Sequence, residues 1–364
     1  MNPSHAPCRR LLPAGARLVP EGRDDIIPAT IIVASSRIHA ETFSSRSLSR
    51  NPLRDPTDRT VLAYLPPGYD DGPRRYPTVY LLAGFTKKGA SYLNFEAWEE
   101  NLQERLDRLI GQGRVRPMII VLPDAFTRLG GSQYINSAAT GQYQDYLLEL
   151  VEWADQTFRT IPHPSARAVA GKSSGGFGAL RLAMDRPGVF GLVADHSGDK
   201  YFEMCYGPAL PRFLRASAQR DVEALFQDPR AALPHDQAFF DILEVLALSA
   251  CYTPAPGSRF GFDLPLDLET GEIREDVWQR WKEHDPLRRL ETKGDSLRDL
   301  TLLFLDCGSR DEFNIHVGSR LFHRRLGELG IPHVYEEFDG GHFNTQHRYD
   351  VSLTAISRAI EHDT

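Results

Sequence analysis

The segment AVAGKSSGGFG, Ala168 to Gly178, sets two adjacent serines behind a Gly-Lys pair. Two chemistries compete for it. Read as G-K-[ST], it closes a phosphate-binding loop. Read as G-x-S-x-G over Gly171 to Gly175, it forms a sharp strand-to-helix turn that presents Ser173 as a nucleophile. The phosphate loop needs a glycine at position 166, where the chain has Ala166. It also needs an open loop over Arg167–Ala170, residues apolar enough to be the strand itself. The preceding FRTIPHPSA has two prolines and no apolar run, so it supplies no substitute strand. LLFLD, ending at Asp306, resembles a magnesium-holding strand end, but such endings are common in α/β proteins. The turn around Ser173 is therefore the better reading.

A serine hydroxyl is a weak nucleophile at neutral pH and needs a base within hydrogen-bond reach. The base is usually histidine, and a carboxylate must fix its tautomer. After such a turn the partners follow in the order acid, then histidine, each on a loop behind a strand. SRDEFN offers Asp311 behind the run TLLFLDCG, and GHFN offers His342 behind HVYEEFDGG. Asp306 and Glu312 are rival acids, and His196 and His347 are rivals among the 12 histidines. Gly340 and Gly341 give the backbone room to place the His342 ring, which favours that residue. An oxyanion hole needs two N–H donors. Ser174 supplies one as the residue after the nucleophile, and Phe85 the other in YLLAGFTKKG, where Gly84 permits close approach. No metal or cofactor is implied. Phe85, Tyr134 and Phe343 would suit an apolar or aromatic acyl group.

These residues must be positioned by alternating strands and helices. Apolar runs TVLAYLP, TVYLLAG, MIIVLPD, RAVAG and VFGLVADHSG are separated by helical patterns, which predicts βα units and a mostly parallel sheet. Trp98, Leu102, Leu106 and Leu109 predict one helix stripe. GQYQDYLLELVEWADQTF (Gly141–Phe158), GGFGALRLAM, HVGSRLFHRRLGELG and VSLTAISRAIEH are further helices. Residues 200–297 interrupt the alternation with helical and proline-rich stretches. They read as a helical insertion on one edge of the sheet, either a lid or an interface. Residues 1–25 are expected to be a flexible tail, and 26–364 a single domain whose first strand is entered through IIPATIIVA.

Bulk properties narrow the function classes. The chain has 364 residues, 41% apolar and 25% charged, with a net charge of −7. That balance gives no electrostatic footprint for nucleic acid. No apolar run approaches the roughly 20 residues of a membrane span, and no signal-peptide pattern opens the chain. Cys8, Cys205, Cys251 and Cys307 are widely spaced, with no zinc or disulfide pattern. A cytoplasmic protein is expected.

AYLPPGYDDG, YPTVYLLAGF, MIIVLPDA, the run GGSQYINSAATGQYQDYLLELVEWADQTFRT, RAVAGKSSGGFGAL, LDCGSRDEF and FDGGHFN together resemble one family. It is the esterase family of α/β-hydrolases with esterase D-like, feruloyl esterase, enterochelin esterase and mycolyltransferase branches. The resemblance implies the α/β-hydrolase fold, with a central sheet flanked by helices and the insertion before the acid-bearing strand. It implies a triad of Ser173, Asp311 and His342 with oxyanion donors Phe85 and Ser174, and it puts Tyr134 and Asn136 near the substrate cleft. Many members carry His-Gly where this chain has Ala83-Gly84, and Met where it has Ser174. The expected reaction is hydrolysis of a small-molecule carboxylic ester through an acyl-enzyme. Acyl transfer or thioester cleavage by the same triad is the alternative. A catalytically idle esterase-like binding protein is the alternative from another class. A homo-oligomer is compatible with either.

Overall fold

The computed structural model describes residues 35–360, which fall within one compact unit. The strand entry expected at IIPATIIVA and the tail 1–25 lie outside the described residues.

Among the described residues ten strands run in chain order: β1 (Arg37–Ser44), β2 (Asp58–Leu65), β3 (Thr78–Leu82), β4 (Ile119–Leu122), β5 (Asn136–Ser137), β6 (Gly141–Gln142), β7 (Arg167–Lys172), β8 (Leu192–His196), β9 (Leu302–Gly308) and β10 (Val334–Phe338). Eight form one sheet in the order β1-β2-β4-β3-β7-β8-β9-β10, and β5 with β6 forms a small separate ribbon. From β4 through β10 the large sheet is parallel; β2 is antiparallel to both its neighbours.

The central strands β3 and β4 are almost wholly apolar because helices cover both faces. Every residue of β3 and β4 is buried. One face packs against helices Tyr143–Thr157, Ser174–Asp185 and Ile315–Glu328, through Leu147, Leu180 and Phe322 among others. The other packs against Leu102–Gly111 and Arg348–Ala359, through Leu106, Leu109, Leu353 and Ile356. Each such side chain fully buried is worth about 1.5–3 kcal/mol against exposure. Among the described residues no helix is long and apolar enough to cross a membrane.

Three expectations change. The helix expected from Trp98 begins at Leu102, because Asn101 caps it: its Oδ1 accepts from Glu104 N at 3.1 Å while Glu104 Oε2 accepts from Asn101 N at 2.9 Å. Trp98 lies before the cap with φ of 65° and is fully exposed. Strand β1 had no apolar signal; it is an edge strand, paired to β2, with no buried residue. The insertion does not hang on an edge. It leaves the end of β8 and returns into β9, and these strands are neighbours inside the sheet. Its own core, with Phe202, Phe213, Ile242, Leu246, Tyr252 and Trp281, packs onto Phe177 of the helix behind Ser173. Lys172 at the end of β7 pairs in register with His196 at the end of β8, so the insertion rises beside the Ser173 turn.

Candidate active site

Strand β7 is flanked on both sides by parallel strands, β3 and β8, which fixes where it ends. The chain then reverses into a helix within one residue. Ser173 takes φ 58° and ψ −126°, a strained conformation that non-glycine residues adopt rarely. Its N–H is tied to His196 O at 2.9 Å, and its carbonyl accepts from Phe177 N at 2.9 Å as the helix starts. The two flanking glycines are sterically required. A Cβ on Gly171 would stand 2.4 Å from the Gly175 carbonyl carbon, and one on Gly175 would stand 2.1 Å from Leu82 O.

Asp311 and His342 come from the loops after β9 and β10. His342 Nδ1 lies 2.7 Å from Asp311 Oδ2. A carboxylate only accepts, so Nδ1 carries a proton; in the neutral ring the lone pair is then on Nε2. Asp311 Oδ1 accepts from Phe313 N at 2.9 Å and Ile315 N at 3.4 Å, so the carboxylate is held at both oxygens. Burial pushes the Asp311 carboxyl up, but the hydrogen bond and field of His342 and the two N–H groups outweigh it. The group sits below its usual range and is ionised at neutral pH. Both side chains are almost wholly buried. Glu312 accepts from His342 N and so anchors the histidine loop, a part that its adjacency to Asp311 gave no reason to expect.

The rival residues pair with each other instead. His196 Nδ1 meets Asp306 Oδ1 at 2.7 Å and its Nε2 meets Ser352 Oγ at 2.8 Å, all three buried between the sheet and the helix Arg348–Ala359. Arg348 Nε donates to Asp306 Oδ2 at 2.8 Å. None of His196, Asp306 and Ser352 borders the cavity that Ser173 opens into.

That cavity has a volume of about 590 Å³. Ser173, Ser174, His342, Phe85 and Phe343 border it together. Asp311 stands behind His342. Ser174 is the first residue of its helix, so its N–H has no preceding turn to bond. The turn carrying Phe85 is closed by Thr86 N to Gly130 O at 2.8 Å and Lys87 N to Gly84 O at 3.1 Å. The Phe85 ring lies over Gly130 and Gly131.

Phe343 is half exposed at the rim, edge-on to His342 and Phe313. Two other expected cleft residues are elsewhere. Tyr134 is buried with its hydroxyl donating to Ala83 O at 2.6 Å, so it braces the end of β3 and does not border the cavity. Asn136 Oδ1 accepts from Gln144 N at 3.0 Å and Asp145 N at 3.1 Å; it caps the helix Tyr143–Thr157. Both are polar residues consumed by neighbouring backbone, a role that a motif match does not distinguish from substrate contact.

Other cavity residues were not expected there from the sequence. Lys172 borders it, with Nζ 6.0 Å from the centre of the Phe343 ring. Burial pushes its ammonium below the usual range against the opposing fields of Asp311 and Glu312. The insertion contributes Arg212, Asp241 and Glu244, with Arg212 Nε donating to Asp241 at 3.2 Å and Nη2 to Glu244 at 3.4 Å.

Comparison with known proteins agrees with this architecture. The curated Esterase Rv1288 of Mycobacterium tuberculosis (strain H37Rv) is 26% identical over 310 residues, 81% of this chain and 55% of that protein. The chain thus spans about half the length of the curated relatives it matches. An endo-1,4-beta-xylanase/feruloyl esterase of Xylanibacter ruminicola is 29% identical over 150 residues, 39% of this chain and 20% of that one. Among solved structures, a ferulic acid esterase aligns with a TM-score of 0.59 at 20% identity, covering 89% of this chain and 99% of that one. FphF, a fluorophosphonate-binding serine hydrolase of Staphylococcus aureus, aligns with a TM-score of 0.55 at 15% identity, covering 90% and 100%. The fold is that of the α/β-hydrolases. The family model described as "Putative esterase" matches residues 55–360, and the chain belongs to that family.

Proposed function

We propose that the protein is a serine carboxylic-ester hydrolase that works through an acyl-enzyme. The observation that carries this reading is the 2.7 Å His342–Asp311 pair, with His342 bordering the same cavity as a Ser173 held at positive φ.

The steps follow from the donors and acceptors. His342 Nε2 takes the proton from Ser173 Oγ as Oγ bonds to the ester carbonyl carbon. The tetrahedral oxyanion is held by the N–H groups of Phe85 and Ser174, each worth about 3 kcal/mol at the transition state. His342 then returns the proton to the leaving alcohol as the carbon–oxygen bond breaks. Water attacks the acyl-enzyme with His342 again the base, and Ser173 is released. Asp311, ionised and held by two backbone N–H groups, keeps the ring oriented and stabilises the imidazolium.

Phe85, Phe313 and Phe343 border the cavity and favour an apolar or aromatic acyl group. The similar proteins named feruloyl esterase and ferulic acid esterase favour the aromatic case. We read residues 200–297 as a fixed wall of the site within one catalytic domain. The buried free thiols of Cys205, Cys251 and Cys307 fit the cytoplasm. Hydrolysis of a panel of aryl esters by the wild type and its loss in Ser173→Ala is the expected result; a Ser173→Ala protein that keeps the activity contradicts the reading.

A further inference from the structure

Asp199 is a carboxyl in the cavity that the proposed reaction leaves unused. It follows β8 in the sequence HSGDK and is only 5% exposed. It borders the cavity together with Ser173, Ser174 and His342. One of its oxygens is fully engaged. Oδ2 accepts from Tyr206 OH at 2.7 Å and from Gln133 Nε2 at 3.2 Å. The Gln133 amide is itself placed by the hydroxyls of Tyr206 and Tyr252, at 3.0 and 2.9 Å. Two residues of the insertion and one from the loop after β4 thus converge to hold a single oxygen. Among the described residues, Oδ1 has no hydrogen-bond partner.

Oδ1 is not sealed from solvent; it is open to the cavity that Asp199 lines, where a donor can reach it. The neighbouring cations are committed elsewhere. Lys200 Nζ is buried against Asp195 Oδ2 at 2.6 Å and Gly198 O at 2.7 Å. Arg212 is shared between Asp241 and Glu244. On the insertion side the cavity thus carries the open oxygen of Asp199 beside the Arg212–Asp241 ion pair and Glu244, whose carboxyl burial pushes up. An anionic group would be repelled there, whereas an O–H or N–H donor would complete the coordination of Asp199.

We propose that Asp199 Oδ1 determines specificity by accepting a hydrogen bond from a hydroxyl or ammonium group carried by the ester substrate. The assignment rests on the ester-hydrolase reading of the same cavity. It adds that the substrate bears a hydrogen-bond donor at a distance from the scissile carbonyl, and that carboxylate-bearing esters are discriminated against.

The test uses two series of esters at matched length. In one, p-nitrophenyl esters carry acyl chains ending in methyl, hydroxyl, ammonium or carboxylate. In the other, acetyl esters carry the same four ends on the alcohol. In one series the wild type is expected to favour hydroxyl or ammonium over methyl by at least about tenfold in kcat/KM, with carboxylate poorest. Asp199→Asn, which keeps the shape but replaces the acceptor charge, is expected to cut that preference by about tenfold. The ratio of two substrates cancels a general loss of folded enzyme, and the wild-type preference needs no variant at all. Whether hydroxyl or ammonium leads identifies a neutral or a cationic donor. Hydrolysis with no preference in either series, or a preference that survives Asp199→Asn, overturns the assignment alone. Hydrolysis of none of the esters overturns the ester-hydrolase reading and the assignment with it.

Discussion

A Cβ on Gly175 would stand 2.1 Å from the carbonyl oxygen of Leu82. The helix behind the candidate nucleophile therefore meets the strand before the candidate oxyanion turn backbone to backbone, with no side chain between. The spacing between Ser173 and Phe85 depends on that contact. Gly175→Ala is expected to lower kcat/KM by at least about a hundredfold, since a misplacement near 1 Å is enough for that. Gly111→Ala, at a helical position with open space around it, is the control and should raise stability by about 0.5–1 kcal/mol. Thermal melts and aryl-ester kinetics on both variants check the pair.

Asp311→Asn should preserve the fold yet reduce kcat/KM by roughly a thousandfold to ten-thousandfold, because an amide permits the wrong His342 tautomer. Stability carries a second signature. The folded carboxyl sits below its ordinary range, so the unfolded state binds its proton first as pH falls. The stabilisation is present above the unfolded pKa and is lost as pH falls through the folded one. Asp311→Asn should flatten that acid-side loss in denaturant titrations run at several pH values.

Tyr134→Phe removes one buried hydrogen bond, to Ala83 O. The expected cost is about 1 kcal/mol of stability. Because Ala83 precedes the Gly84–Phe85 turn, kcat should fall more than KM rises. Equal changes in an ordinary substrate contact would instead appear in KM.

Glu244 gives a pH dependence of opposite sign. Burial pushes its carboxyl from 4.5 up to about 7, although Arg212 pulls it back. Between those values the folded protein holds a proton that the unfolded chain has released. Stability from this group therefore falls as pH rises through that window and is level above it. Glu244→Gln should remove the slope and leave a protein more stable than wild type at pH above about 7.

Ser174→Ala should keep activity within a few-fold of wild type. Its proposed contribution is a backbone N–H, which alanine retains. A loss as large as that of Ser173→Ala would assign the wrong serine.

The candidate site was legible in the sequence because its parts sit at strand ends. Ser173, Asp311 and His342 each follow an apolar run, and a parallel sheet brings such ends to one edge. Asp306 against Asp311, and His196 against His342, were open choices in one dimension. In space they separate into two pairs, one buried beneath the helix Arg348–Ala359 and one at the cavity. Strand β1 was illegible because an edge strand needs no apolar face to pair. Trp98 fitted a helical stripe but lies before the Asn101 cap. Tyr134 and Asn136 sit in a stretch that matches the family, yet their polar atoms serve Ala83 O and a helix N-terminus. Asp199 has no motif; only the convergence of Gln133 and Tyr206 on one of its oxygens distinguishes it.

The central claim is that Ser173 is an activated nucleophile, and labelling with a fluorophosphonate probe tests it most directly, since only an activated serine reacts quickly. The account predicts one labelled site per chain at Ser173, much slower labelling in His342→Ala, and none in Ser173→Ala. Labelling of Ser173→Ala at the wild-type rate, or a wild type that stays unlabelled while folded, would contradict it.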